Sequence, residues 1–266
     1  MAADFIWLTV STKLVYIVNH FVRPERCVNL PNTFSQYDDS TQPAMVIPGY
    51  RETFVRVPKN QLFKRPVTLT EITGPTRLAQ KLKPGDNNLA HPYPGKPRAA
   101  GQLIQVTGHV FDEDGQPVCG TVIELWHANA NGRYMHPMDA NSPNPVDDNF
   151  VGSGRVLTGD DGRYEFLTIK PAAYPYPNHP ERWWRPPHIH MSIFGDGFMS
   201  RLVTQMFFPG DPFNDIDLIL QSVPDPKGRA RMIARQVAMD AMPMLNVVGF
   251  EHDVVVRGTR QTPFGM

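Results

Sequence analysis

Apolar and polar residues alternate with a period of two through much of the chain beyond residue 100. In Leu103 to Phe111 (LIQVTGHVF), Ile104, Val106, Gly108 and Val110 fall on one face, which predicts a half-buried strand. Asp112 to Pro117 (DEDGQP) reads as a turn, and Val118 to Trp126 predicts a returning strand. Asp160-Asp161-Gly162 is a hairpin signal between strands predicted at Arg155–Thr158 and Arg163–Ile169. Further strands are predicted at His188–Phe194, Arg201–Phe208 and His252–Arg257. Helical spacing is confined to Pro226–Met242, with Pro at its start and Met232, Ile233, Val237 and Met242 on one stripe. Residues 1–100 carry only short apolar runs among Pro, Gly and Asn. The pattern predicts a mostly β fold: an antiparallel β-sandwich core over 101–266, a loop-rich wrapping arm over 1–100, and one or two short helices.

Composition narrows this further. Twenty-seven prolines in 266 residues is about twice ordinary usage, and they are dispersed. Scattered proline interrupts helices and central strands, which excludes coiled coils, helical bundles and collagen. Lys and Arg balance Asp and Glu at 26 each, so the basic excess of a nucleic-acid or membrane-surface binder is absent. No run of 18 apolar residues predicts a membrane-spanning helix. Residues 5–18 are apolar, but no basic segment precedes them and no small-residue cleavage site follows. A docking arm or a start assigned too far upstream accounts for them better than a secretory signal. The two cysteines, Cys27 and Cys119, are too few for a disulfide framework or a cysteine zinc site. They are expected to be reduced thiols in a cytoplasmic protein.

Candidate chemistry begins at Arg185-Pro186-Pro187-His188-Ile189-His190. On a strand, residues two apart share a face, so His188 and His190 can present two imidazoles to one metal ion. Alone, such a pair is weak. A two-His-one-carboxylate iron site lacks its acid: Asp196 sits in a Gly-Asp-Gly turn, and the first Glu after His190 is Glu251. A catalytic zinc site lacks a third ligand at a convincing spacing. Tyrosine stands in unusual settings instead. Tyr134 ends Asn131-Gly132-Arg133-Tyr134, and Tyr174 lies in the proline-locked Pro171-Ala172-Ala173-Tyr174-Pro175-Tyr176-Pro177. A tyrosine in such a loop is more often a packing residue than a ligand. Two phenolates with two imidazoles would nevertheless form a hard, anionic set suited to Fe(III), whose charge favours phenol ionisation.

At these residues the chain resembles the intradiol ring-cleavage dioxygenases. The resemblance runs from about Tyr50 to Arg260 and is carried by EITGP from Glu71, GTVIELWHANANGRY from Gly120, TIKPAAY from Thr168, WRPPHIH from Trp184 and QMFFPGDP from Gln205. It implies a non-haem Fe(III) ion held by Tyr134, Tyr174, His188 and His190. The Ile169-Lys170-Pro171 anchor selects Tyr174 over Tyr176. It also implies that Tyr174 serves as a base toward the substrate diol, that Arg185 stabilises charge developing on the ring, and that Gln205 supports the site. Trp126, Tyr50, Tyr176 and Phe207 would line the substrate pocket. Tyr176 stands where a tryptophan is usual and Phe207 where a tyrosine is common, changes that bear on substrate preference.

The implied reaction is O2-dependent opening of a catechol between its hydroxyl-bearing carbons. The N-terminal hundred residues lack the helical segment of the catechol and hydroxyquinol types. That absence favours protocatechuate (3,4-dihydroxybenzoate) as substrate, in degradation of aromatic compounds, with a related α subunit completing an αβ hetero-oligomer. The competing expectations are an intradiol enzyme for another catechol or a hydroxyquinol, a non-catalytic β-sandwich subunit, and a zinc hydrolase built on His188 and His190.

Overall fold

The computed structural model describes residues 42–50, 82–176, 183–194, 201–238 and 246–265, with Thr53, Val57, Pro58, Asn60 and Ala79 between the first two stretches. The apolar face predicted for Leu103–Phe111 organises one sheet. Strand β1 (Leu103–Phe111) buries Ile104, Val106 and Val110 completely. Strand β4 (Arg163–Ile169) runs antiparallel along one edge of β1, from Leu103↔Ile169 to His109↔Arg163. The other edge is shared by β10 (Val248–Glu251) and β11 (Val254–Val255), both parallel to β1, and β9 (Arg235–Val237) pairs with β10.

The facing sheet has the order β3 (Ser153–Leu157), β2 (Val122–Trp126), β7 (His188–Phe194), β8 (Arg201–Phe207), and every pair is antiparallel. Tyr164 and Phe166 of the first sheet meet Ile123, Leu125, Ile189, Met191, Ile193, Leu202 and Met206 of the second in one core cluster. Each such buried side chain contributes about 1.5–3 kcal/mol. A two-stranded ribbon, β5 (Tyr174–Pro175) with β6 (Trp184–Arg185), stands apart from both sheets. The mostly β architecture is as predicted, with parallel pairs added at one edge of β1.

Several local expectations change in the fold. Asp160-Asp161-Gly162 does form a turn, with the Gly159 N–H donating to Arg163 O and the Gly162 N–H to Gly159 O. Its flanking strands, however, join different sheets, so it is a crossover and no hairpin. The strand expected from Val118 begins at Val122, because Val118 still bonds to Val110 before the chain crosses over. The helix expected over Pro226–Met242 stops early: α2 (Pro226–Arg231) is capped by Asp225, and β9 follows. Backbone groups compete there. Phe207 N–H donates to Met232 O and Ala234 N–H to Phe207 O, which draws the segment onto the edge of β8. Helix α1 (Leu218–Gln221) precedes it. Cys119, buried, is disulfide-bonded, against the expectation of a free thiol; that expectation came from compartment and not from geometry. Among the described residues no helix is long and apolar enough to cross a membrane. The predicted arm's residues 1–41, and the segment 177–182, lie outside the described residues.

Two buried histidines lie near the ends of strands. His127 links the sheets, donating from Nδ1 to Ala128 O and accepting at Nε2 from the Thr168 hydroxyl on β4. His252 lies where β10 turns into β11, and its carbonyl accepts from the Tyr164 hydroxyl. Gly108 of β1 makes that approach possible: a Cβ there would sit 1.9 Å from His252 O. Gly108→Ala is therefore expected to cost about 3 kcal/mol or more, beyond ordinary overpacking, read as a fall in urea midpoint. Burial holds His127 and His252 each at about 4, below the ordinary 6.5. The unfolded chain takes up these protons first, so stability is complete above about pH 6.5 and declines as pH falls toward 4, by up to a few kcal/mol. A urea midpoint that stays level between pH 7 and 4 would contradict this.

Candidate active site

Strand periodicity builds the floor of the site. Ile189, Met191 and Ile193 point into the core, so His188 and His190 share the outward face of β7. The ladder chooses their neighbours: Trp126 on β2 and Gln205 on β8 stand opposite His190, and Phe207 stands opposite His188. Trp126 stacks on His190 with centroids 4.9 Å apart and planes 6° from parallel. The two imidazoles are also 4.9 Å apart, at 73°.

The tautomer of His188 follows from one contact. Its Nδ1 lies 2.7 Å from Pro186 O, which can only accept, so Nδ1 carries the proton and Nε2 keeps its lone pair. That lone pair faces the Tyr134 hydroxyl at 3.2 Å, the Tyr174 hydroxyl at 3.5 Å and Arg185 Nη1 at 3.0 Å. The two hydroxyls are 3.5 Å apart. Donors each about 2 Å from one ion lie roughly 3–3.5 Å from one another, so these three atoms are spaced as ligands of a common cation could be. His190 adds the fourth group, its ring 6.1 Å from that of Tyr134.

The tyrosines arrive on two interlocked loops. Asn129, fully buried, folds the first: its Oδ1 accepts from Asn131 and Arg133 N–H, and its Nδ2 donates to Pro145 O. Arg133 ties the same loop to Ser142 and Asn144 carbonyls, and Asp139 accepts from the Tyr134 N–H. Tyr174 sits on β5, opposite Arg185 of β6. The loops touch at Gly132, which has φ +76°, and a Cβ there would lie 2.7 Å from Ala173 O and 3.0 Å from Tyr174 Cβ.

Arg185 is buried and multiply anchored. Nε donates to Asp217 Oδ2 at 2.9 Å, and Nη2 to Gln205 Oε1 at 2.7 Å and to Asp217 Oδ1 at 3.3 Å. Its guanidinium carbon is 5.8 Å from the Trp183 ring centroid. Burial opposes its charge, but Asp217 and the nearby Tyr174 outweigh that and hold the proton more firmly than usual.

The same burial acts on the other groups. It pushes Tyr134 well above the ordinary phenol value, with Tyr174 adding to the rise. It raises Tyr174 too, against the pull of Arg185. Burial, then Arg185, drives His188 well below the ordinary imidazole value and His190 to about 3. Without a cation all four groups are neutral. A highly charged ion would favour phenolate and leave both imidazole lone pairs available, so the donor set fits Fe(III). Among the described residues no three His, Cys, Asp or Glu converge; Asp196, the acid weighed beside the two histidines, lies outside the described residues.

The structure thus brings together Trp126, Tyr134, Tyr174, Arg185, His188, His190 and Gln205. Tyr50 and Tyr176 pack on one another at 5.3 Å and on Trp183 at 5.9 and 5.0 Å. Phe207 is fully buried behind His188, at 5.8 Å, within a cluster of Leu220, Val223 and Met232. Sequence reasoning missed Asp217, Asn129 and Trp183. Asp217 carried a helix-start signal, being an Asp directly before Leu218-Ile219-Leu220, but nothing local pointed to Arg185.

A family model described as "Dioxygenase" matches residues 72–258. The chain is 44% identical over 233 residues to the protocatechuate 3,4-dioxygenase beta chain of Burkholderia cepacia, covering 88% of this chain and 97% of that one. It is 35% identical over 128 residues to the chlorocatechol 1,2-dioxygenase of Rhodococcus opacus, covering 44% and 48%. To the protocatechuate 3,4-dioxygenase alpha chain of Pseudomonas putida it is 28% identical over 171 residues, covering 64% and 78%.

Gly132→Ala is expected to drive the loops apart, separating the Tyr134 and Tyr174 hydroxyls and costing about 1–3 kcal/mol or more. A crystal structure and calorimetry check both effects. Asn131→Ala, one residue away and exposed, should leave the hydroxyls where they are.

Proposed function

The chain belongs to the intradiol ring-cleavage dioxygenase family, and on that premise we propose that it opens protocatechuate with O2 to 3-carboxy-cis,cis-muconate at a ferric ion held by Tyr134, Tyr174, His188 and His190. The observation that carries this reading is the convergence of the Tyr134 and Tyr174 hydroxyls on the His188 Nε2 lone pair, at 3.2 and 3.5 Å. The choice of protocatechuate rests on the extent of similarity to the Burkholderia cepacia beta chain, which the match to the chlorocatechol enzyme does not approach.

A ferric ion in this set would act as a Lewis acid, ionising the bound diol and making its ring electron-rich toward O2. The chain's own residues prepare that event. Pro186 O holds His188 in the tautomer that offers Nε2. Trp126 covers one face of His190 and keeps it oriented. Tyr174 Oη takes a diol proton: burial raises its proton affinity, and the neighbouring Arg185 restrains that rise. Arg185 holds a permanent positive charge beside the site, where negative charge on the ring would develop. Gln205 steadies Arg185 through Nη2. Tyr50, Tyr176 and Phe207 shape the outer and rear walls.

The reading extends to a partner. The relatives named as beta and alpha chains support an αβ hetero-oligomer in which a related α subunit closes the pocket. Residues 1–100 form the wrapping arm in this proposal and 101–266 the catalytic core. A cytoplasmic location belongs to it as well. The bond at Cys119 then has to withstand thiol reductants, from which a sulfur in a residue only 6% exposed is shielded.

Purified protein should be red-brown from phenolate-to-iron charge transfer, and anaerobic protocatechuate should shift that band. Tyr174→Phe is expected to alter the band and lower kcat by about 10²–10⁴-fold, the range for loss of a positioned acid or base. A colourless wild-type protein without iron and inert toward catechols would instead mark a non-catalytic subunit. Faster turnover of catechol or hydroxyquinol than of protocatechuate would reassign the substrate.

A further inference from the structure

Asp217 is completely buried, and it does two jobs at once. Its Oδ1 accepts from the Ile219 and Leu220 N–H groups at 3.1 and 2.8 Å, capping α1. Its two oxygens also take Nε and Nη2 of Arg185, 32 residues away in sequence, at 2.9 and 3.3 Å. The cap alone explains neither the charge nor its burial, since Asn or Ser caps a helix equally well. A forked carboxylate does what those residues cannot: it fixes the plane of a guanidinium through two N–H groups. With Nε and Nη2 held by Asp217 and Gln205, the Nη1 edge is the one left pointing at His188 Nε2, 3.0 Å away. Trp183, under the guanidinium, limits tilting out of that plane.

We propose that Asp217 is a positioning residue for catalysis: it sets the rotation of Arg185 and thereby aims the Nη1 edge at the bound ring, without touching substrate itself. The proposal rests on the reading that Arg185 stabilises charge on the ring. The alternative is a buried ion pair that serves folding only.

The test uses the iron-loaded full chain, co-expressed with its α partner, as wild type, Asp217→Asn, Asp217→Glu, Arg185→Ala and the double variant Arg185→Ala/Asp217→Asn. Iron content, visible spectrum, melting temperature, anaerobic protocatechuate affinity and kcat are measured for each. Asp217→Asn keeps the cap and loses the charge. It should retain iron, the resting spectrum and substrate affinity within about threefold, while kcat falls about 10²-fold, as for a group displaced by an ångström. Asp217→Glu keeps the charge and the fold but shifts the guanidinium, so its kcat should also fall, and it decides the matter if Asp217→Asn fails to fold or to hold iron. The double variant should be no slower than Arg185→Ala alone. If Arg185→Ala turns over normally, the role given to Arg185 is wrong. If Arg185→Ala is slow but Asp217→Glu keeps wild-type kcat, or the two losses multiply, the positioning role of Asp217 is overturned and a structural ion pair remains.

Discussion

The insertion of β7 between β2 and β8 is the constraint on which the site depends. A strand has two faces, and here one is committed to the core by Ile189, Met191 and Ile193. A slip of one residue would bury the histidines and expose that apolar row, so the register is held by most of the hydrophobic stabilisation of the sheet. Once it is held, the ladder places Trp126, His190 and Gln205 in one row and His188 and Phe207 in the next. The floor of the site is therefore as rigid as the sandwich itself.

What lies over that floor is less regular and depends on close backbone approach. The Tyr134 loop is folded around a buried amide, Asn129, and touches the β5–β6 ribbon at Gly132. The ribbon in turn carries Tyr174 opposite Arg185. Two phenols from distant parts of the chain thus meet one imidazole lone pair because the loops are tied together, with the Ala172 N–H donating to Asn129 O, and Gly132 lets them approach closely. This division of labour is common in β-sandwiches: the sheet supplies precision, and the loops supply the groups that a strand face alone cannot bring together.

Electrostatics gives the arrangement its chemical direction. Burial keeps the phenols protonated and the imidazoles unprotonated, so the four groups carry no charge of their own. Arg185 is the exception, and it remains charged because Asp217 sits beside it with no exposed surface. Beside the buried Arg185–Asp217 ion pair, two ionisable phenols and two uncharged imidazoles form a set that a highly charged ion would ionise and bind.

Much of this was open to reading before any fold was known. Strands β1, β4 and β7 begin and end where alternation places them, since side-chain direction along a strand is a property of neighbouring residues alone. The shared face of His188 and His190 follows from the same rule, and the choice of Tyr134 and Tyr174 came from motif resemblance. Other features were decided only by packing. Met232 to Val237 has helical spacing, yet it gives way to β9 because the backbone groups of Phe207 needed partners. Arg155–Thr158 and Arg163–Ile169 look like a hairpin, but the two strands belong to opposite sheets. Asp217 meets Arg185 across 32 residues and leaves no local trace. Local sequence determines which way a side chain faces, because that depends on bonds; the fold decides which side chain it faces and whether water remains between them, because those depend on distance in space.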